Sequence, residues 1–435
     1  MSEYKTVRGM RDFLPEEAKV MRFIESQARS IAKLYDFKEI ITPVVESYEL
    51  LSAKAGEEVK SRMFVFKDLG GRDVALRPEF TASVARLVAS TLRTEPKPFR
   101  LFSIGSIYRY DEPQKGRYRE FWQSNYELMG SNRPEADAEI ILLTNALMKA
   151  AGLKNLVFKI GHVGVLREIF DQEKLKEKVQ NVAMQLMDKK QYNDALKIIE
   201  KAEASAKCLT AIRELIQLKG ENIFAVIEKM QACVSGFKQA VEAVKNLSEI
   251  LKLVTESKKE MRIIVDAGFA RGLEYYTGMI FEVSVPELDI ALGGGGRYDR
   301  LIELFGGEPT PAVGVAHGLD RIMLAMQMQK AKPKISEEKT GIIIPIKEEL
   351  KTEALKIAEG LRQSGIAVEV EVMGRKMAKA LEDADRRKID FAIIVGEKEL
   401  KEGAVAFRDL KQRSQSTVLI PKLPETIKRK PAKQK

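Results

Sequence analysis

The chain has 435 residues, 45% of them hydrophobic and 31% charged, and Lys plus Arg exceed Asp plus Glu by ten (73 against 63). That length exceeds one ordinary core and predicts two or three domains. No apolar run approaches the roughly 20 residues needed to span a bilayer, and the start, with Glu3 and Lys5, has no apolar stretch of a secretion signal. The positive excess favours encounter with polyanions, although a lysine-rich surface also serves solubility. Cys208 and Cys233 lack the spacing of a disulfide framework or a zinc site, so a cytoplasmic setting is expected.

Residues 16–34 are predicted to form a helix, since Met21, Ile24, Ala28 and Ile31 recur at spacings of three and four. A short strand follows at 37–44, confined to an edge by Pro43, and another at 74–79 before a helix at 81–91. Two strands, 101–109 and 119–129, are joined by a long polar loop and read as an antiparallel pair. Further strands are expected at 156–161, 261–267, 279–285 and 289–293, with a helix from Gly314 to Gln329. Between 166 and 258 helical spacing takes over, through Leu175, Val179 and Val182 and later Ile212, Leu215 and Ile216. This stretch reads as a helical insertion in an α+β domain built on an antiparallel sheet. A polar linker at 331–339 precedes a βαβαβ alternation: strands at 341–346, 366–372 and 391–395, with helices marked by Leu350–Leu361 and Met377–Ala384 spacing. That predicts a separate, largely parallel α/β domain. The segment 428–435 is expected to be a disordered basic end.

Several groups carry chemistry. In an extended strand Gln123 and Glu127 share a face, where polar residues are unexpected if the face is simply core. The loop holding Lys115, Gly116, Arg117 and Arg119 suits a phosphate-gripping turn or an ordinary solvated hairpin. Thr81, after Arg77, Pro78 and Glu79, reads either as a helix N-cap beside a surface acid or as part of an acceptor set for an ammonium. In 271–278 the adjacent Tyr275 and Tyr276 would face opposite sides of a strand, one at most entering the core. Gly293 to Gly296 permit close approach of a flat ligand or backbone but lack the dinucleotide spacing. Arg321 opposes the dipole of its helix, which suggests an anionic partner, or a surface ion pair. His162 and His317 have no partner set for a metal or a nucleophile relay and read as structural. Arginines, carboxylates and phenols then remain to do the work, which suits reactions at phosphate.

Taken in order, these segments resemble histidyl-tRNA synthetase, a class II aminoacyl-tRNA synthetase family. Val7-Arg8-Gly9-Met10-Arg11-Asp12-Phe13-Leu14-Pro15 resembles its N-terminal signature, 37–46 the first class II motif, 99–123 the second and 314–321 the third. Arg271-Gly272-Leu273-Glu274-Tyr275-Tyr276-Thr277-Gly278 resembles the histidine-specific motif, and Val395-Gly396-Glu397-Lys398-Glu399-Leu400 falls in a counterpart of the anticodon-binding domain. The resemblance implies a catalytic domain at 1–165 and 259–330, the insertion at 166–258, an anticodon-binding α/β domain at 338–421 and a basic tail at 422–435. It implies histidine, ATP with Mg²⁺, and tRNA(His) as ligands, and a homodimer formed through the first motif.

By the same resemblance Arg109 bridges the substrate carboxylate and the α-phosphate, Arg271 lies across that phosphate, and both are catalytic. Arg321 grips the distal phosphates, and Arg117 helps hold ATP or the tRNA end. Glu79, Thr81 and Gln123 bind the amino group, while Glu127 and Tyr276 bracket the imidazole with Tyr275 beside it. A neutral imidazole has one donor and one acceptor nitrogen, so an acid and a phenol on opposite edges satisfy both. A regulatory paralogue of ATP phosphoribosyltransferase shares this fold, but such paralogues lack the anticodon-binding domain and usually lose parts of the catalytic set.

Overall fold

The computed structural model describes residues 4–53, 55–114, 116–271, 274–333 and 339–428. Lys115, Gly272 and Leu273, most of the 331–339 linker and the basic end beyond Lys428 lie outside the described residues. The chain forms two compact units, residues 1–334 and 335–435. Among the described residues no helix is long and apolar enough to cross a membrane.

The first unit contains strands β1 (Lys38–Glu39), β2 (Val45–Ser47), β3 (Val65–Lys67), β4 (Asp73–Leu76), β5 (Phe99–Tyr108) and β6 (Glu120–Met129). After these come β7 (Val157–His162), β8 (Lys219–Gly220), β9 (Arg262–Asp266), β10 (Met279–Ser284), β11 (Gly293–Arg297) and β12 (Ala312–Gly318). Nine of them form one sheet in the order β1-β5-β6-β12-β11-β10-β7-β9-β8, while β2, β4 and β3 make a small second sheet. The large sheet is mainly antiparallel, with parallel pairing only of β1 with β5 and of β7 with β9. The expected antiparallel α+β class is therefore the observed one, with the predicted antiparallel pair β5/β6 second and third from one edge of the sheet.

The helix Pro15–Leu34 lies behind this sheet because Met21, Ile24, Ala28 and Ile31 form one buried stripe. Pro15 opens it, Glu16 and Glu17 occupy its first turn and Lys33 its last, in keeping with the helix dipole. The Tyr126 hydroxyl donates to Ala28 O at 2.8 Å and so fixes the helix to β6. On that rear face His317 is buried between Thr144 (3.0 Å) and Ser124 (3.3 Å), and burial lowers its pKa to about 3. It is a neutral core histidine.

No strand covers 289–293; the glycine run itself, Gly293–Arg297, is β11. The segment from Gly314 is not yet helix either: Ala312–Gly318 is a strand, and the helix is Leu319–Met328. Alternation of buried Val313, Val315 and His317 with small residues gives that strand its two faces. The stretch after β7 is helical throughout except for β8, which adds an edge strand to the large sheet beside β9. Its last helix, Lys238–Ser257, packs against Pro134–Ala150 and Val163–Gln172, so this region shares the core of the first unit.

The second unit has β13 (Thr340–Pro345), β14 (Ala367–Val370), β15 (Phe391–Val395), β16 (Ala404–Asp409) and β17 (Ser414–Leu419), in the order β14-β13-β15-β16-β17. The three predicted strands are parallel, but β16 and β17 add an antiparallel hairpin. The sheet is thus mixed, not largely parallel. Helices Lys351–Gln363 and Met377–Arg386 cover it with separate apolar stripes.

Candidate active site

A cleft opens on the face of the large sheet away from the helix Pro15–Leu34. Strand β6 gives it Phe121, Gln123 and Asn125, with Glu127 beneath, all at alternate positions. β12 lies beside it with Gly314 opposite Glu127, Ala316 opposite Asn125 and Gly318 opposite Gln123. The floor is therefore almost free of side chains, which lets a flat ligand reach the backbone.

Glu127 lies at the closed end and is 1% exposed. Its Oε1 accepts from Thr81 Oγ1 at 2.7 Å and Asn125 Nδ2 at 2.9 Å, and its Oε2 accepts from the Tyr298 hydroxyl. Burial pushes its carboxyl up to about 7, against the downward pull of the three donors. Thr81 is consequently no N-cap: Phe80 precedes the helix Thr81–Ala89, and the threonine hydroxyl is spent on Glu127. Tyr298, 171 residues away in sequence, and Asn125 are the partners that sequence reasoning missed. For Asn125 the signal was present, since 123, 125 and 127 are successive positions on one strand face.

Glu79 is held by the Tyr275 hydroxyl at 3.0 Å, and burial raises its carboxyl while nearby Arg109 opposes the rise. Gln123 Oε1 is buried and accepts no hydrogen bond within the protein. A buried acceptor of this kind fits a donor brought by a ligand. Tyr275 and Tyr276 precede β10 in a turn, not a strand, and so both turn inward, 8% and 5% exposed, their rings 4.9 Å apart. Burial raises both phenols, Tyr276 to about 12, so both remain protonated donors at neutral pH.

The cations lie at the other end. Arg109 follows β5, and its Nε donates to Pro78 O at 2.8 Å, tying it to the segment that presents Glu79. Arg271 donates to Glu282 Oε1 at 2.9 Å, and Glu282 also pairs with Lys159 at 3.1 Å. Arg321, in the first turn of Leu319–Met328, donates to Ala291 O at 2.8 Å. Burial lowers its pKa to about 10, helped by the positive charges of Arg109, Arg117 and Arg271. Like charges gathered in one partly buried place are costly without an anion to share. An anionic group such as a phosphate or carboxylate would offset that repulsion.

Arg117 sits at the exposed bend of the β5–β6 loop and does not line the cleft. Arg119, expected in a phosphate-gripping loop, is structural: it is 5% exposed, its guanidinium stacks on Tyr110 at 3.5 Å with Nε donating to Asp111 O, and its backbone N–H donates to Gly9 O. Lys115 is outside the described residues. The remaining eight predicted site residues, other than Glu127 and Arg117, all line the cleft.

Residues 9–322 match the family model described as histidyl-tRNA synthetase, and 341–430 match an anticodon binding domain. The chain belongs to the histidyl-tRNA synthetase family. It is 42% identical over 422 residues to the histidine–tRNA ligase of Methanocaldococcus jannaschii, covering 97% of this chain and 98% of that protein. Among solved structures, the apo histidyl-tRNA synthetase of S. aureus is 26% identical, with a TM-score of 0.68 over 98% of this chain and 100% of that one. A Bacillus halodurans protein described as an ATP phosphoribosyltransferase regulatory subunit/histidyl-tRNA synthetase is 27% identical, with a TM-score of 0.74 over 88% of this chain and 97% of that one.

Proposed function

We propose that the cleft activates L-histidine with ATP and that the chain then charges tRNA(His). The observation that carries this reading is that one cleft holds three arginines at one end and an acid–amide–phenol set at the other. The histidine carboxylate attacks the α-phosphorus, forming histidyl-adenylate, and pyrophosphate leaves. The terminal ribose hydroxyl of the tRNA then attacks the carboxyl carbon, and AMP leaves.

Arg109 and Arg271 are proposed to share the charge that grows on the α-phosphate, and Arg321 to bind the distal phosphates. Positioning and charge neutralisation of this kind need no protein nucleophile. Glu79 and Gln123 accept from the ammonium group, with Thr81 beside them. Tyr276 and Glu127 bracket the imidazole, with Tyr275 alongside. Three donors occupy three of the roughly four acceptor positions of the Glu127 carboxylate, and the fourth is left for an imidazole N–H. A side chain lacking a ring donor or acceptor would leave buried groups unpaired, and sites of this kind discriminate by roughly 10⁴ or more. Arg117 is proposed to meet ATP or the tRNA end from the exposed bend of its loop.

Magnesium would arrive on the ATP phosphates. Among the described residues no group of three acid, His or Cys side chains could hold a metal alone, but a phosphate-borne ion needs only one or two carboxylates. Glu282, which lines the cleft, fits that need. The ion would neutralise phosphate charge.

The second unit is proposed to bind the anticodon region of the tRNA, in keeping with the domain matched at 341–430 and the net charge of +10. A homodimer through the first-motif region is supported by exposed apolar side chains there and on the small sheet: Ile41, Val44, Val45, Val65 and Phe66. A cytoplasmic setting fits the unpaired thiols of Cys208 and Cys233. The regulatory-paralogue reading is disfavoured by the presence of both the arginine set and the matched anticodon domain. Histidine-dependent exchange of pyrophosphate into ATP tests the assignment: exchange supports it, and none with histidine removes it.

A further inference from the structure

The helical region after β7 reaches the active site at one place. Helix Glu177–Asp188 carries Asn181, Gln185 and Asp188 at i, i+4 and i+7, which puts them on one face. Asn181 Nδ2 donates to Glu274 Oε2 at 3.2 Å, and Gln185 Nε2 donates to Glu274 Oε1 at 3.3 Å. Arg167, on the preceding helix Val163–Gln172, donates to Glu274 O at 3.3 Å and to Asn181 Oδ1 at 3.3 Å. Asp188, at the end of the same face, lines the cleft. Both carboxylate oxygens of Glu274 and its carbonyl are thus held from outside the sheet. Glu274 directly precedes Tyr275 and Tyr276, and on the far side of these tyrosines Thr277 N–H donates to Arg297 O and Gly278 O accepts from Val163 N–H.

We propose that Asn181, Gln185 and Arg167 are positioning residues for histidine activation, clamping Glu274 so that Tyr275 and Tyr276 are held in the cleft. The helical region then takes part in substrate selection through this clamp. The inference rests on the proposed histidine activation for its kinetic readout, and on the contact alone for its structural one.

The physical reason is that a turn outside a strand has no ladder to fix it. Two phenols that must meet an imidazole edge within a few tenths of an ångström need outside support. Amide donors on a carboxylate supply it, because charge-assisted hydrogen bonds are stronger than neutral ones. The contact is polar and half-buried, so its loss need not unfold the core.

The test uses the full chain and two variants. Gln185→Glu keeps the side-chain shape but sets a second carboxylate against Glu274. Adding Glu274→Gln exchanges acid and amide across the contact and restores a donor–acceptor pair for both neighbours. In histidine-dependent pyrophosphate exchange, Q185E should raise KM for histidine about fivefold, with KM for ATP changed less than about twofold, and Q185E/E274Q should return within about twofold of the parent. Amide hydrogen exchange over 274–278 should be faster in Q185E and slower again in the double variant. An unchanged histidine KM, or a loss that E274Q does not recover, overturns the proposal. If the parent exchanges no pyrophosphate with histidine, the functional reading fails instead, and amide exchange then decides: unchanged protection over 274–278 in Q185E overturns the clamp.

Discussion

Gly314 stands directly across the sheet from Glu127, and a Cβ at 314 would overlap the Glu127 carboxylate. The glycine is required by this close approach, since its φ is not in the left-handed region. Replacing Gly314 by Ala therefore forces Glu127 off the hydroxyls of Thr81 and Tyr298. We expect a stability loss of about 1–3 kcal/mol, the range for overpacking a tight site, measured as a lower denaturant midpoint. Histidine-dependent exchange should fall together with it. Parental midpoint and activity would show that the contact is dispensable.

Among the described residues the Arg271 guanidinium donates to Glu282 Oε1 and to Phe281 O, both on β10. Arg271→Ala should leave far-UV circular dichroism unchanged while reducing adenylate formation about 10²–10³-fold, as for loss of one preorganised charge donor. A drop confined to KM for histidine, with kcat kept, would place this side chain outside the reacting phosphate.

The Glu127 carboxyl titrates at about 7 in the fold against an ordinary value of 4.5. Between those values the folded state holds the proton more tightly than the unfolded one. Stability from this group therefore falls as pH rises from 4.5 to 7 and levels off above. Glu127→Gln removes the titration. The stability difference, parent minus variant, should decline by about 2–3 kcal/mol across that window, and equal pH slopes for both would contradict the burial argument.

Much of this was legible in the chain, and what was missed has physical reasons. The helix at 15–34 and the β5/β6 pair follow from apolar period and polar alternation, which packing then reinforces. The glycine strand Gly293–Arg297 was not legible, because glycine carries no periodic side chain and is depleted in strands. It is a strand since its neighbours leave room for nothing larger: a Cβ on Gly295 would overlap Gly314 O. The hairpin of β16 and β17 was missed because the exposed β17, Ser414–Leu419, shows little hydrophobic pattern. Thr81 looked like a cap because that is its commonest local use, and its bond to Glu127 spans 46 residues. Tyr298 followed a glycine run and gave no local sign of its partner. Long-range pairing of this kind is written in the tertiary fold, not in spacing.

The two units have separate hydrophobic cores. A chain ending at Lys334 should keep histidine-dependent pyrophosphate exchange within about threefold of the parent while charging tRNA(His) at least about tenfold more slowly. Equal charging by both forms would deny the second unit its proposed part in tRNA recognition.

One cleft joins the polar set around Glu79, Gln123 and Tyr276 to Arg109, Arg271 and Arg321. Amino-acid-dependent exchange of radiolabelled pyrophosphate into ATP, run with each of the twenty amino acids, tests it most directly. Exchange with histidine should exceed that with any other amino acid at least about 10⁴-fold. Exchange driven by a different amino acid, or by none, would contradict it.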